Sequence, residues 1–241
     1  MPAGSVLWYR FVLWVVRWLF FGATGGMRIK GRKNIPWQGP LIVAPNHTSN
    51  LDPPATACAI HRQVTFMAKA DLFRVPIFGA LIRSLGSFAV HRGEADTEAV
   101  RLALKLLGEG KAVLVFPEGT RGDGRTMLPV NRGVALLAKR SGAPVLPVGI
   151  AGTHRKMPRG KSFPKFGRVT VAFGEPFLYS DVAAHASEAE NREAFAVHLE
   201  SRILALCAQA GLELKAAESC PRPSTTDGPA EPSETSATGS S

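Results

Sequence analysis

The sequence predicts an α/β domain with one largely parallel or mixed central sheet flanked by helices, and three observations lead there. Compact apolar runs of strand length recur at residues 41–44, 112–116 and 145–150. Stretches with helical apolar spacing lie among and after them, at residues 97–107, 130–140 and 188–212. Such alternation belongs to sheets whose strands are joined by helical crossovers. The chain's 241 residues, 45% of them hydrophobic, suffice for one large domain with a sizeable core.

Residues 6–21 read VLWYRFVLWVVRWLFF, interrupted only by Arg10 and Arg17. A spanning helix needs roughly 20 apolar residues, and a mid-bilayer Arg costs about 2.5–3.5 kcal/mol. This stretch is short and carries two arginines, so residues 1–25 are expected to form a membrane-anchoring helix lying in or half-embedded in the interface; a tilted span with snorkelling arginines and a buried core helix are the alternatives. Arg10 and Arg17 are two helical turns apart and should share a face. Trp8, Trp14 and Trp18 are ring residues favoured at a membrane–water boundary. No Lys or Arg precedes Val6, which argues against a cleaved signal peptide.

The remaining elements follow in order. Met27-Arg28-Ile29-Lys30 is a short strand, residues 31–39 are turns, and residues 41–44 form a buried strand before Pro45. Residues 52–60 suit a helix, with Pro53 and Pro54 tolerated in its first turn. Residues 64–68 are a strand, 76–83 a helix and 87–91 a strand. In residues 97–107 the apolar Val100, Ala103, Leu104 and Leu107 keep a helical period, and Gly108 and Gly110 can end it. Residues 112–116 are a strand, 130–140 a helix, 145–150 and 168–173 strands, and 188–212 a long helix. Residues 216–241 are rich in Ser, Thr, Pro, Glu and Ala with no aromatic residue, so a disordered tail without catalytic part is expected.

The formal net charge is +10, and residues 216–241 hold four acids and one base, so the rest is more basic still. A surface of that sign attracts an anionic leaflet, phosphorylated substrates, an acidic carrier protein or nucleic acid. Residues 153–168 contain Arg155, Lys156, Arg159, Lys161, Lys165 and Arg168, no acid, and Phe163 and Phe166 between them. That pattern suits a membrane-surface or carrier-docking patch better than single-stranded nucleic acid. Cys58, Cys207 and Cys220 lack zinc or redox spacing and read as reduced, unpaired thiols of a cytosol-facing protein. His61, His91, His154, His185 and His198 sit in no partner pattern. No phosphate-binding or dinucleotide glycine loop is present.

The chemistry gathers in a few segments. Asn46-His47-Thr48-Ser49-Asn50-Leu51-Asp52 follows a buried strand. With a helix starting near Asn50, the Asp52 carboxylate reaches back to one imidazole nitrogen of His47. That bond fixes the tautomer, frees the other nitrogen to take a proton and stabilises the imidazolium, as in a hydrolase triad without its serine. A helix N-terminus nearby opposes a permanently charged His, which suits a base. Read alone, the same spacing also serves as a helix cap built on Ser49 or Asn50. Between residues 69 and 92, Lys69 and Arg92 suit the two sides of a phosphate, one as a point charge and one as a fork; read alone, they are surface cations. In Phe116-Pro117-Glu118-Gly119-Thr120-Arg121, Glu118 and Arg121 can face one pocket across a glycine turn, where Gly119 permits a positive φ. Arg121 suits a phosphate, and Glu118 accepts from a hydroxyl or holds Arg121. Taken alone, the pair would simply close a surface turn. Ala143-Pro144-Val145-Leu146-Pro147-Val148 reads as a core strand, preceded by Asn131-Arg132-Gly133.

These blocks, in this order, resemble the signatures of the glycerolipid acyltransferases, the lysophosphatidic acid acyltransferase family. The second block carries Lys69, Leu72, Pro76, Gly79, Gly86 and Arg92. The resemblance covers residues 41–150 and extends loosely to Gly174-Glu175-Pro176. One departure is Gly122, where the family usually has Ser. The resemblance implies an acyltransferase domain over residues 26–215. Its reaction would move a fatty acyl group from acyl-CoA or an acyl carrier protein thioester to the free hydroxyl of 1-acyl-glycerol-3-phosphate, giving phosphatidic acid. His47 and Asp52 would be catalytic; Glu118, Gly119, Thr120, Arg121, Lys69 and Arg92 would bind substrate. The fourth block would mainly shape the acyl pocket. No metal and no cofactor beyond the thioester co-substrate is expected, although His47, Asp52 and Glu118 make a weaker metal reading. Membrane lipids are the expected partners, nucleic acid is not, and the place is the cytoplasmic face of the cell membrane. Related acceptors are glycerol 3-phosphate, another lysophospholipid or an acylated amino acid. The readings from other classes are a hydrolase using Ser49 and a non-catalytic anionic-lipid-binding protein.

Overall fold

A computed structural model describes residues 3–69, 73–90, 95–158, 163–184 and 186–217. Its centre is a seven-stranded sheet. The strands are β1 (Met27–Lys30), β2 (Leu41–Pro45), β3 (Val64–Lys69), β4 (Phe88–Val90), β5 (Ala112–Leu114), β7 (Val145–Ala151) and β8 (Val169–Phe173), in the spatial order β1-β8-β7-β2-β5-β3-β4. Every pairing is parallel except β7 with β8, which makes the sheet mixed.

β2 is buried along its whole length because it lies between β7 and β5 and is covered on both faces. Its side chains alternate between two cores, as the strand period of two requires. Ile42 and Ala44 join a cluster with Leu107, Val134, Phe195, Leu199 and Ile203. Those residues come from or adjoin α4 (Ala95–Gly108), α5 (Arg132–Ser141) and α7 (Glu188–Ala210). Leu41 and Val43 join Phe21, Ala55, Ala59, Leu146 and Val148 on the other face, where α2 (Asp52–Ala59) packs. At Gly149 the backbone of α7 comes so close to β7 that a Cβ would stand 2.4 Å from the carbonyl carbon of Leu206.

The N-terminal segment is helical from Ala3. α1 (Ala3–Val15) passes into a wider π-helical turn, Val16–Gly22. One face is fastened to the domain: Tyr9 and Val12 are buried against Leu85 beyond the end of α3 (Pro76–Ser84). Trp8 Nε1 donates to Ser84 Oγ at 2.9 Å. Arg17, in the widened turn, donates to the carbonyl of Cys58 at 3.1 Å, whereas Arg10 is exposed. The two arginines therefore do different jobs. No helix among the described residues is long and apolar enough to cross a membrane.

Two short strands escaped the sequence reading. β6 (Thr126–Met127) pairs in parallel with β9 (Lys215–Ala216), and Ala217 N donates to Met127 O at 3.2 Å. Ala216 thus belongs to ordered structure, so the domain runs beyond the expected boundary at residue 215. Most of the expected tail, residues 218–241, lies outside the described residues.

Candidate active site

β7, β2 and β5 are adjacent, parallel where they meet, and end on the same side of the sheet. The loops after such strands form the crevice where α/β proteins bind ligands. His47 follows β2, the Glu118 turn follows β5, and the short helix α6 (Thr153–Lys156) follows β7.

His47 and Asp52 meet as the sequence suggests. Nδ1 of His47 lies 3.0 Å from Oδ2 of Asp52, the first residue of α2. The same oxygen accepts the backbone N–H groups of Thr48 and Ser49, each at 2.7 Å. Asp52 is fully buried and the His47 side chain is 16% exposed. A buried carboxylate with three donors on one oxygen is held in place and in turn holds the imidazole. Phe116 stacks on the imidazole, 3.8 Å between centroids and 20° between planes. Nε2 of His47 has no protein partner among the described residues and faces the opening. The capping alternative does not hold, because the residue before α2 is Leu51, which caps with no side chain.

The backbone of His47 is gripped from both sides. Its N–H donates to Oε1 of Glu118 at 2.6 Å, and its carbonyl accepts from Gly122 N at 2.8 Å. Oε2 of Glu118 accepts from Leu128 N at 3.0 Å. Glu118 is buried, and burial pushes its carboxyl up to about 7 against the pull of these two donors; the Asp52 charge adds to the rise. Glu118 therefore does not hold Arg121. Among the described residues the partly buried Arg121 guanidinium has no hydrogen-bond or ion-pair partner, and the turn around it is open. Gly119 takes the left-handed φ of 65°, with Gly119 and Thr120 exposed. Beside the turn lies a cavity of about 280 Å³ lined by Glu118, Pro129, Val130, Asn131 and Arg132.

The glycine at position 122 has a local reason. A Cβ there would stand 3.2 Å from Oε2 of Glu118 and from the Thr126 carbonyl. Ser49 is 1% exposed; its hydroxyl donates to Met157 O at 2.9 Å and accepts from Leu51 N at 3.3 Å. It is a tie between loops, poorly placed for a nucleophile. Arg92 lies outside the described residues, and of Lys69 only the backbone, at the end of β3, is described. Among the described residues no three His, Cys, Asp or Glu side chains are grouped to hold a metal ion.

A model of the acyltransferase family matches residues 26–151. The chain belongs to the acyltransferase family. The 1-acyl-sn-glycerol-3-phosphate acyltransferase of Bacillus subtilis is 29% identical over 180 residues, covering 74% of this chain and 87% of that one. The chloroplastic enzyme BAT2 of Brassica napus, which bears the same activity in its name, is 28% identical over 177 residues. That match covers 72% of this chain and 51% of the plant protein, so the chain spans about half of that relative's length. The crystal structure of the 1-acyl-sn-glycerophosphate (LPA) acyltransferase PlsC from Thermotoga maritima superposes with a TM-score of 0.65 at 27% identity. The superposition covers 88% of this chain and 83% of that one.

Within this acyltransferase, sequence reasoning missed three contributors. Asn46, fully buried, exchanges two hydrogen bonds with the backbone of Ile150, at 3.1 and 2.7 Å, and so ties the end of β2 to β7. Its place in the first motif was the available signal. Phe116 covers the imidazole, and its place at the start of the third motif was the signal. His154 packs on the loop after Arg121, where a Cβ on Gly124 would come within 3.2 Å of its ring, and it carries no local sequence signal. Cys58 and Cys207 are buried, and burial pushes both thiols up to about 12, which keeps them unreactive.

Proposed function

We propose that this acyltransferase moves a fatty acyl group from an acyl thioester to the free hydroxyl of 1-acyl-glycerol-3-phosphate, giving phosphatidic acid. The observation that carries this reading is the pairing of an oriented base with a vacant cation. His47 has Nδ1 on Asp52; among the described residues its Nε2 and the partly buried Arg121 guanidinium have no partner. The names of the relatives favour the same acceptor.

The acceptor hydroxyl lies against Nε2 of His47. Its proton moves to the imidazole as the oxygen attacks the thioester carbonyl, and the thiolate leaves, taking that proton from the imidazolium to become the free thiol. Asp52 stabilises the imidazolium formed. General base action of this kind supplies roughly 10²–10⁴ in rate, and positioning supplies much of the remainder. Arg121 takes the acceptor's phosphate, with Lys69 and Arg92 completing its charge. Glu118 serves by holding the His47 backbone rather than by touching the acceptor. No covalent acyl-enzyme is formed. The thioester is acyl-CoA or acyl carrier protein, and no further cofactor takes part.

In the same reading α1 holds the enzyme on the cytoplasmic face of the membrane. Leu7, Phe11, Trp14 and Trp18 follow helical spacing and are 70, 54, 57 and 58% exposed, a stripe turned away from the domain. Apolar side chains in such a row bury well in the headgroup boundary.

The test is thioester release by purified protein in detergent. Lysophosphatidic acid, glycerol 3-phosphate and other lysophospholipids are offered separately, with His47→Ala in parallel. Turnover with lysophosphatidic acid that vanishes in the variant is expected. Turnover with a different acceptor alone would move the substrate, and turnover surviving in His47→Ala would remove the mechanism.

A further inference from the structure

The basic, aromatic stretch after β7 has no part in the chemistry above, yet the fold fastens it to the end of the anchor helix. Gly167 N donates to Thr24 O at 2.9 Å, just past the π-helical turn. Lys156, 1% exposed, donates from Nζ to Thr24 O at 2.5 Å and to Gly167 O at 2.8 Å. Lys165 N closes the loop onto Lys156 O at 2.6 Å. One buried lysine thus clamps two segments more than 140 residues apart in sequence (residues 24 and 167). Gly25 fits the same junction, since a Cβ there would stand 2.7 Å from the Gly167 backbone.

What the clamp presents is unusual for a surface loop. Phe163 and Phe166 are 86 and 82% exposed. Arg155, Lys165 and Arg168 beside them are exposed and, among the described residues, form no ion pair. Free phenyl rings among unpaired cations match a layer with negative headgroups over hydrocarbon. An acidic protein would satisfy the cations but would not by itself call for two projecting rings next to an apolar helix stripe.

We infer that this loop is a second membrane contact, which together with the α1 stripe docks the enzyme on an anionic bilayer. The rings enter between headgroups, and the three cations lie over lipid phosphates. The inference rests on the membrane reading of α1 and adds a charge-selective contact that α1, with the single exposed cation Arg10, does not supply.

The experiment is co-sedimentation of the full chain with vesicles of phosphatidylcholine alone or of equal parts phosphatidylcholine and phosphatidylglycerol. Three variants are compared: Phe163→Ser with Phe166→Ser; Arg155→Gln with Lys165→Gln and Arg168→Gln; and, on α1, Leu7→Ser with Phe11→Ser. A cation near an anionic surface is worth roughly fivefold in partition, so the triple Gln variant should lose about 100-fold on the mixed vesicles and little on phosphatidylcholine. The double Phe variant should bind both kinds more weakly, by on the order of tenfold or more. Turnover of detergent-dispersed lysophosphatidic acid should stay at the wild-type level in all three. Loop variants that sediment like wild type while the α1 variant is released would overturn the inference and leave the membrane reading of α1 intact. A triple Gln variant that binds vesicles normally but loses turnover with acyl carrier protein donors would also overturn it, making the patch a carrier-docking surface. If no acceptor is acylated even by wild type, the functional reading fails separately, and the vesicle data still decide this one.

Discussion

The peptide N–H of His47 donates to the Glu118 carboxylate at 2.6 Å across 71 residues of chain. The acid of the third motif thus acts on the backbone of His47, the proposed base. This places a buried titratable carboxyl in the scaffold of the site, and its titration should be visible in stability.

Burial raises the folded-state pKa of Glu118 to about 7 from 4.5. The folded protein then holds this proton more tightly than the unfolded chain does. The stabilisation is complete below pH 4.5 and lost as pH rises through about 7, with a total on the order of 3 kcal/mol. In thermal melts from pH 5 to 8, the stability of wild type relative to Glu118→Gln should therefore fall with rising pH. A flat difference would mean that the two backbone donors outweigh burial.

Asp52→Asn keeps the size of the side chain but disturbs an oxygen that serves three donors. The imidazole loses the partner that fixes its tautomer, so kcat should drop by about 10²–10⁴. His47→Ala should fall at least as far. Circular dichroism melts show whether either variant is folded when assayed.

Arg121→Ala should raise KM for the phosphorylated acceptor at least tenfold and leave KM for the thioester near its original value. Charge-assisted pairs of this kind are worth about 1.5–3 kcal/mol. Arg121→Lys should recover part of the loss, since a point charge remains while the fork is gone. A rise in the thioester KM alone would assign Arg121 to the donor.

Truncation separates residues 218–241 from the strand pairing that precedes them in the chain. Ending the chain after Ala217 should leave activity close to wild type. Ending it after Leu214 removes β9 and frees the carbonyls of Arg125 and Met127. The loop from Arg121 to Leu128 then loses its outer support, and kcat/KM should fall several-fold with a lower melting temperature. Equal activities would show that the bonds of Leu128 to Glu118 and of Gly122 to His47 hold the loop without β9.

The readable parts of this protein were the local ones. The apolar run of β2, the proline-tolerant start of α2 and the five-residue interval from His47 to Asp52 are all set within a dozen residues, and the structure keeps them. The partners of Glu118 were not readable, because the alternatives open to a carboxylate beside Arg121 are decided by a strand pairing that brings β5 next to β2. β6 and β9 escaped because two-residue strands carry no period, and the side chains of β9 are exposed. The separate duties of Arg10 and Arg17 depend on a widened helical turn and on the carbonyl of Cys58, which sequence spacing does not show.

The placement of β2 between two late-arriving neighbours also orders events in time. The Asn46 bonds to Ile150 span 104 residues, and Ser49 leans on Met157 across 108. Contacts of such separation form slowly, while a helix forms within about a microsecond. On the ribosome, α1 emerges long before the segments that complete the catalytic loop. With α1 at a lipid surface as proposed, the growing chain would reach that surface before the loop that carries His47 is tied down.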